Sequence, residues 1–373
     1  MLRCQKMLED TRPGLLCTGC GAHAANLLLK DVMDIPFVWS VLGKARFLTK
    51  FTLNRRALLQ RFRNAQAESH HTSRHMLSMP IVTRWYSCNK CMMSVLENKE
   101  VTKDVFEDSR FIGRFADKTK KARHRLGRAK RHVSDKTFWK KLKLVIKLVK
   151  PIVGCIAAFE KENCSLSVIY SAFEKLKRDP AYDLANPIAG VPPEVQQKIG
   201  NLVEELWVKL HTDSMGIVFL LDHTKSTAFF VDHDLDNTIL ELEGVAEKLG
   251  YNQDDLDCLR TELGLFIEMK EGLTDEEKRR WHRYAPRTYW ASRVMVYPKL
   301  YEVAIKTFGI PTSSASAARS WSIHDYIHSK KRNRLERHRV LKLLFIYSNA
   351  GDKQPGSAPF YTTPWLDDKT TII

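Results

Sequence analysis

Two cysteine pairs stand at metal-ligand spacing, Cys17 with Cys20 and Cys88 with Cys91. Two Cys-x-x-Cys units can close a tetrahedral zinc site, because four thiolates complete the ion's coordination. The 67 residues between Cys20 and Cys88 are more than a compact zinc module spans, and neither pair has a glycine-rich knuckle around it. Buried thiols are the favoured reading over zinc. Cys20 also opens a Cys-x-x-His with His23, a spacing that puts both side chains on one side of a helix. The acids Asp222, Asp232, Asp234 and Asp236 crowd the segment LLDHTKSTAFFVDHDLD. They lack the glycine and distal glutamate of a calcium loop and read as a solvated acidic loop. No nucleophile elbow, phosphate-binding glycine loop, dinucleotide fingerprint or His-Glu-x-x-His is present.

Charge is the stronger signal. In 373 residues Lys and Arg outnumber Asp and Glu by 17, and the surplus is concentrated. Between Lys118 and Lys150 stand 14 Lys or Arg and one acid, Asp135. From Lys330 to Lys342 there are seven basic residues against Glu336 alone. Such clusters are the footprint of a polyanionic partner, which binds by releasing counterions from phosphates. A solvated helix face is the plainer alternative for a single run; two runs favour nucleic acid. The stretch KKARHRLGRAKRH also reads as a nuclear-import patch.

The elements that must carry these residues read mostly as helix. Leu142, Val145, Ile146, Val149, Ile152, Val153 and Ile156 recur at helical spacing, with Pro151 expected to kink or divide the helix. WKKLKLVIKLVK could seek calmodulin or an anionic membrane surface; a core-packing helix with a wet lysine face is preferred. A second stripe, Val195 to Leu210, is started by Pro192-Pro193. Leu235–Leu249, Asp254–Met269 and Tyr297–Phe308 are shorter helical patterns, and Asp179–Pro193 is a loop. Leu15–Thr18 is expected to be a short buried strand, while Gly216–Leu221 fits strand or helix equally. No run reaches the ~18–20 apolar residues of a membrane span, and MLRCQKMLED is no signal peptide. Eight cysteines do not make a disulfide scaffold, so a reducing, cytosolic or nuclear setting is expected.

Several segments together resemble one family. GCGAHAANLLLKDV resembles the Cys-x-x-His helix of hAT-superfamily transposases, and FGIPTSSASAARSWSIHDYIHSKKRNRLERHRVLKLLFIYSN resembles their C-terminal dimerisation region. Within the latter, Arg319, Trp321, Ser322, His328, Arg332, Asn333, Arg334 and Leu335 carry the match. Thr83-Arg84-Trp85 and Phe138-Trp139 are similar to two intervening motifs of the family, in family order. The resemblance implies a mostly α chain: an incomplete ribonuclease H-like α/β core interrupted by a large helical insertion. It divides the chain into a core remnant (1–85), an insertion domain (86–296) holding the basic segment 118–150 and a dimerisation region (297–350); the residues after it, 351–373, read from their own composition as a disordered tail. The resemblance further implies that Cys20, His23, Arg84 and Trp85 lie near DNA, Trp85 as a stacking aromatic and Arg84 on a phosphate. Arg123, Arg125, Arg128, Lys130 and Arg131 are read from charge as backbone contacts.

Active relatives cut DNA with two Asp and one Glu that hold paired divalent ions, the metals activating attacking and leaving oxygens. The Glu of that family precedes the Arg of its Ser-Ala-x-x-Glu-Arg motif; here the position is Ala318, followed by Arg319. The two Asp belong to elements ahead of the Cys-x-x-His helix, and Met1 stands where the second such element ends. Asp31, Asp34 and Glu302 stand in none of these places. The expectation is a catalytically defective, DNA-binding and self-associating nuclear protein, with no cofactor where active relatives use Mg²⁺ and no membrane partner. The alternatives are a nuclear interaction protein without a DNA role, or an active transposase whose true N-terminus precedes this sequence.

Overall fold

The computed structural model describes residues 7–8, 11–12, 14–68, 75–81, 85–116, 119–161, 164–231, 233–312, 321, 323–328 and 335–349. These residues are mostly α-helical, and no strand forms among them. The ribonuclease H-like sheet expected from the resemblance is therefore not seen in them. The chain divides into two compact units, residues 1–312 and 313–373.

The first unit begins with α1 (Gly21–Met33), α2 (Pro36–Leu53) and α3 (Arg56–Glu68). Next come α4 (Tyr86–Glu97), α5 (Lys99–Glu107), α6 (Ser109–Gly113) and α7 (Lys120–Ser134). Then follow α8 (Lys136–Phe159), α9 (Leu166–Lys177), α10 (Pro193–Leu210) and α11 (Asp213–Leu220). The unit closes with α12 (Asp234–Lys248), α13 (Gln253–Glu271), α14 (Asp275–Trp281), α15 (Pro286–Ala291) and α16 (Pro298–Thr307).

Helix α8 is the axis of this unit, packing against α1, α2, α4 and α9. Its buried stripe is the one the periodicity predicts: Leu142, Val145, Val149, Ile152 and Ile156. Pro151 does not divide the helix, which runs 24 residues through it. The carbonyl that Pro151 leaves without a donor belongs to exposed Lys147, where water can satisfy it. The lysines of WKKLKLVIKLVK stay on the wet side, and no helix among the described residues is long and apolar enough to cross a membrane.

Two hydrophobic cores meet at α11. Met215, Val218 and Phe219 belong to the core built around α8, while Ile217, Leu220 and Leu221 belong to a second core built from α12 to α16. Every side chain from Ser214 to Leu220 is buried. A helix apolar on all sides has no wet face to give it a period, which is why Gly216–Leu221 fits two readings. Gly216 lets α12 close in: a Cβ there would stand 2.9 Å from Thr238 Oγ1.

Leu15–Thr18 is not a strand. It is irregular chain with Leu15 exposed, the Leu15 amide donating to the Arg12 carbonyl at 3.0 Å and Leu16 resting on the second core. With no neighbouring strand, pairing is impossible there. Farther along, α12 ends in a Schellman motif. Gly250, at φ +93°, donates to the Glu247 carbonyl at 2.9 Å, and the Tyr251 amide to the Ala246 carbonyl at 3.1 Å.

The second unit is small. A helical turn at residues 323–327 places Ile323 and Ile327 against Val340 of α17 (Arg337–Asn349), with Leu335, Leu344 and Tyr347 around them. The tail 351–373 lies outside the described residues.

Candidate nucleic-acid interface

Helix α7 carries KKARHRLGRAKRHVS and buries only Leu126, Ala129 and Val133. Those three positions form a narrow apolar ridge that seats the helix on α2 and α5. The Thr119 hydroxyl caps its start, accepting from the Ala122 amide at 3.2 Å. The rest of the cylinder is cationic: Lys120, Lys121, Arg123, Arg125, Arg128 and Arg131 are exposed, and Lys130 is half-buried.

Asp135, the one acid of the basic segment, is committed elsewhere. Its carboxylate caps α8, accepting from the amides of Thr137 (2.9 Å) and Phe138 (3.1 Å). It also accepts from Lys44 Nζ of α2 at 2.8 Å. The Lys44 bond, with these amides, holds its carboxyl below the usual aspartate range. His132 is kept below the ordinary imidazole range by burial and by neighbouring Lys44 and Arg128. It therefore adds no charge at neutral pH and accepts a bond from Arg128 Nε at 3.3 Å.

Two clefts flank α7 on opposite sides. One, about 690 Å³, lies between α2 and α7 and is lined by Lys50, Arg55, Lys121, Arg125 and Arg128 over Phe47 and Phe51. The other, about 630 Å³, lies among α5, α7 and α8 and is lined by Lys99, Lys103, Lys130, Lys136, Lys140 and Lys143. The second is partly neutralised: Glu107 is in its lining, and Glu100 pairs with Lys99 at 3.1 Å and Lys103 at 3.2 Å. Sequence reasoning missed Lys50, Arg55, Lys99 and Lys103. They come from α2, from the turn after it and from α5, and only packing reveals that they extend the basic run.

The remaining expected site residues are dispersed. Cys20 caps α1, its sulfur accepting from the His23 amide at 3.4 Å, and the His23 side chain is exposed. His23, Leu27, Lys30 and Asp34 share one exposed stripe of α1 by helical spacing. Trp85 stands half-buried beside that stripe, with Lys30 Nζ 5.8 Å from its ring centre. Cys20, His23 and Trp85 thus belong to the surroundings of α1, whereas α7 is carried by α2 and α5. Asp31 and Asp34 pair with Lys30 at 3.5 and 3.0 Å, and Glu302 accepts from Tyr251 Oη at 3.0 Å. Arg84, Ala318, Arg319, Ser322, Arg332, Asn333 and Arg334 lie outside the described residues.

The cysteine pairs do not converge. Cys88 and Cys91 are buried in α4, Cys91 beside Thr49 of α2, and burial pushes both thiols up to about 11. Cys20 instead neighbours Cys164. No group of three or more His, Cys, Asp or Glu among the described residues could hold a metal ion. Asp222 is not solvated: it is buried, accepting from the hydroxyls of Ser167 and Thr224 and from the Thr224 amide. Asp234 and Asp236 are exposed in the first turn of α12, where a helix start favours acids. Asp232 lies outside the described residues.

In the second unit, α17 is apolar on two sides. Val340, Leu344 and Tyr347 face the small core, while Leu341, Phe345 and Ile346 are exposed, Phe345 at 70%. Trp321 is exposed and His328 stands 5.8 Å from His324, beside a groove of about 530 Å³.

Residues 267–350 match the hAT family C-terminal dimerisation region. No curated protein matches the chain. The matched region is consistent with a hAT transposase-related protein, and it implies self-association.

Proposed function

We propose that this is a hAT transposase-derived protein that binds duplex DNA through the cationic surface of α7 and the start of α8, and pairs with a second copy through α17. The observation that carries the DNA reading is the uncompensated charge of α7: its nearest acid, Asp135, is bound to Lys44 and two amides. Fixed cations without carboxylate partners are suited to phosphates. Among the described residues no helix resembles a recognition helix that seats a few fixed side chains in a groove, so binding is weakly dependent on sequence. In this reading the helices of 86–296 are the insertion domain, and Cys20, His23 and Trp85 form a second, smaller contact area.

The pairing face is Leu341, Phe345 and Ile346, a set of exposed apolar side chains on the side of α17 away from its small core, and such a face is buried by association. The chain holds DNA without cutting it, because Ala318 cannot serve as the metal-binding Glu of active relatives. The basic run also serves nuclear import.

The deciding experiment reverses Arg123, Arg125, Arg128, Lys130 and Arg131 to Glu and measures duplex affinity across salt. If the wild-type surface neutralises about six to ten phosphates, affinity falls ~10³–10⁵-fold between 50 and 200 mM salt. The reversed variant should lose most of both affinity and slope. An unchanged slope would leave α7 as a solvated or import face and favour an interaction protein without a DNA role. Sedimentation of Phe345→Glu, expected to shift the chain to monomer, tests the pairing face separately.

A further inference from the structure

The two clefts beside α7 differ in kind. The α5–α8 cleft is lysine-rich and partly balanced by Glu100 and Glu107. The α2–α7 cleft has no carboxylate in its lining, and among the described residues none of its five cations pairs with one. Three of the five are arginines, and two of these are held in place. The Arg55 guanidinium carbon lies 3.7 Å from the Phe51 ring centre, with Nη1 donating to the Phe51 carbonyl at 2.8 Å. The Arg128 guanidinium carbon lies 4.5 Å from the Phe47 ring centre, with Nε donating to His132. The two phenyl rings are themselves stacked at 6.1 Å, so the floor is continuous. A guanidinium laid on an aromatic ring keeps its remaining N–H groups for an anion and loses little freedom when one arrives.

This arrangement is costly when empty. Burial, and then the nearby charge of Arg125, push the Arg55 guanidinium below its usual range. Like charges gathered without counter-charge are what a polyanion relieves.

We propose that the cleft between α2 and α7 is a polyphosphate seat, taking clustered phosphate groups from a nucleic-acid backbone or from a soluble polyphosphate. The inference deepens the duplex-binding reading and rests on it for the backbone source, while the seat itself is testable without DNA. Arg55 and Arg128 hold phosphate oxygens through paired N–H bonds, and Lys50, Lys121 and Arg125 close the rim as further charges. The volume of about 690 Å³ has room for several phosphates.

The test uses the full chain with inorganic tripolyphosphate, read by calorimetry and by the ligand-induced rise in Tm. Wild type should bind it. Arg125→Gln should weaken binding about tenfold, the loss of one of the five cations that face the phosphates. Lys209→Gln, the same loss of charge at an exposed position of α10, should not weaken it. The ligand-free Tm of Arg125→Gln should be equal to or above wild type, because repulsion on Arg55 is relieved. A structural arginine would instead lower it. Displacement of a bound duplex by tripolyphosphate identifies the backbone as the source; binding without displacement identifies a soluble polyphosphate. Absence of tripolyphosphate binding, equal weakening by Lys209→Gln, a lowered Tm of ligand-free Arg125→Gln, or equally tight binding of an aspartate polymer overturns the seat. Salt-dependent duplex binding that persists in any of those cases leaves the duplex-binding reading standing, so the two failures are distinct.

Discussion

Replacing Asp135 should move stability and affinity in opposite directions. Asp135→Ala removes the α8 cap, whose two amide bonds are worth about 1 kcal/mol together. It also removes the Lys44 pair, in which both side chains are about a third exposed, worth about 0.5 kcal/mol after screening. The expected loss is about 1.5 kcal/mol. Asp135→Asn keeps a capping oxygen and should lose only about 0.5 kcal/mol. Because the folded carboxyl lies below its ordinary range, its charge stabilises the fold fully above about pH 4 and ceases to do so as pH falls through the lowered folded value. Wild type and Asp135→Asn should therefore converge in acid. In duplex binding the Asn variant loses the one acid of the segment and releases Lys44. If Lys44 then takes one phosphate, the salt slope steepens by about 0.9 and affinity rises. Urea denaturation across pH gives the first quantity, and fluorescence anisotropy across salt the second. Equal destabilisation by Ala and Asn would refute the capping argument. An unchanged or weaker duplex affinity in Asp135→Asn would refute the electrostatic one.

Gly216→Ala should destabilise by about 1–3 kcal/mol in urea, since its Cβ meets the short, branched Thr238 side chain at 2.9 Å. His223 is buried, stacked on Tyr289 at 4.2 Å, with Nδ1 lacking a partner, and burial lowers its pKa. Unfolding then takes up a proton below about pH 6.5, so stability falls on acidification; His223→Phe should flatten that limb in pH-dependent melts. Buried Lys270 donates to the Leu220 carbonyl at 2.7 Å and is pushed down to about 8. Between pH 8 and 10.5 the unfolded chain holds that proton and the folded one does not, so this group adds stability as pH rises. The Tm of Lys270→Met relative to wild type should fall over the same interval.

The amphipathic helices were legible because each has one wet and one dry face. Of the stripe read from spacing, Val195, Ile199, Val203 and Leu210 are buried on α10 and Leu202 and Leu206 half-buried, while Trp207, outside that stripe, is buried too; α10 starts where Pro192-Pro193 announces it. Helix α11 was not legible, because a segment buried between two cores shows no period. Leu15–Thr18 misled for a related reason: so short an apolar run has no period to identify its element, and here it is neither strand nor buried, Leu15 being exposed and Leu16 to Thr18 half-buried. Asp222 was misread as solvated because its partners are two hydroxyls and an amide, none of them charged, and Ser167 is far from it in sequence. Hydroxyl partners leave no charge pattern to read.

The site divides along the same line. The cations of α7 are consecutive in sequence, so their excess is visible before any fold is known. The absence of counter-charge is a property of packing. Asp135 would cancel part of the run if it turned toward α7; instead the start of α8 and Lys44 hold it away.

That division has a consequence for α7 itself. Its buried apolar hold on the protein is one leucine, one alanine and one valine, helped by Arg128 and His132 against the Phe47 ring, while it brings together cations that repel one another and Arg55. Burial of so small a ridge contributes only a few kcal/mol, on the order of 1.5–3 for each larger side chain. The repulsion acts against it whenever no anion is bound. Helix α7 should therefore be the part of its unit that opens first in the free protein. An anion that binds the closed form removes the repulsion and adds its own binding free energy to the hold, in proportion to the logarithm of its concentration above Kd. Amide exchange in α7 should slow with tripolyphosphate or duplex present while exchange in α10 stays the same. Equal slowing in both helices would mean that the anion tightens the whole unit, and that α7 is not weakly held.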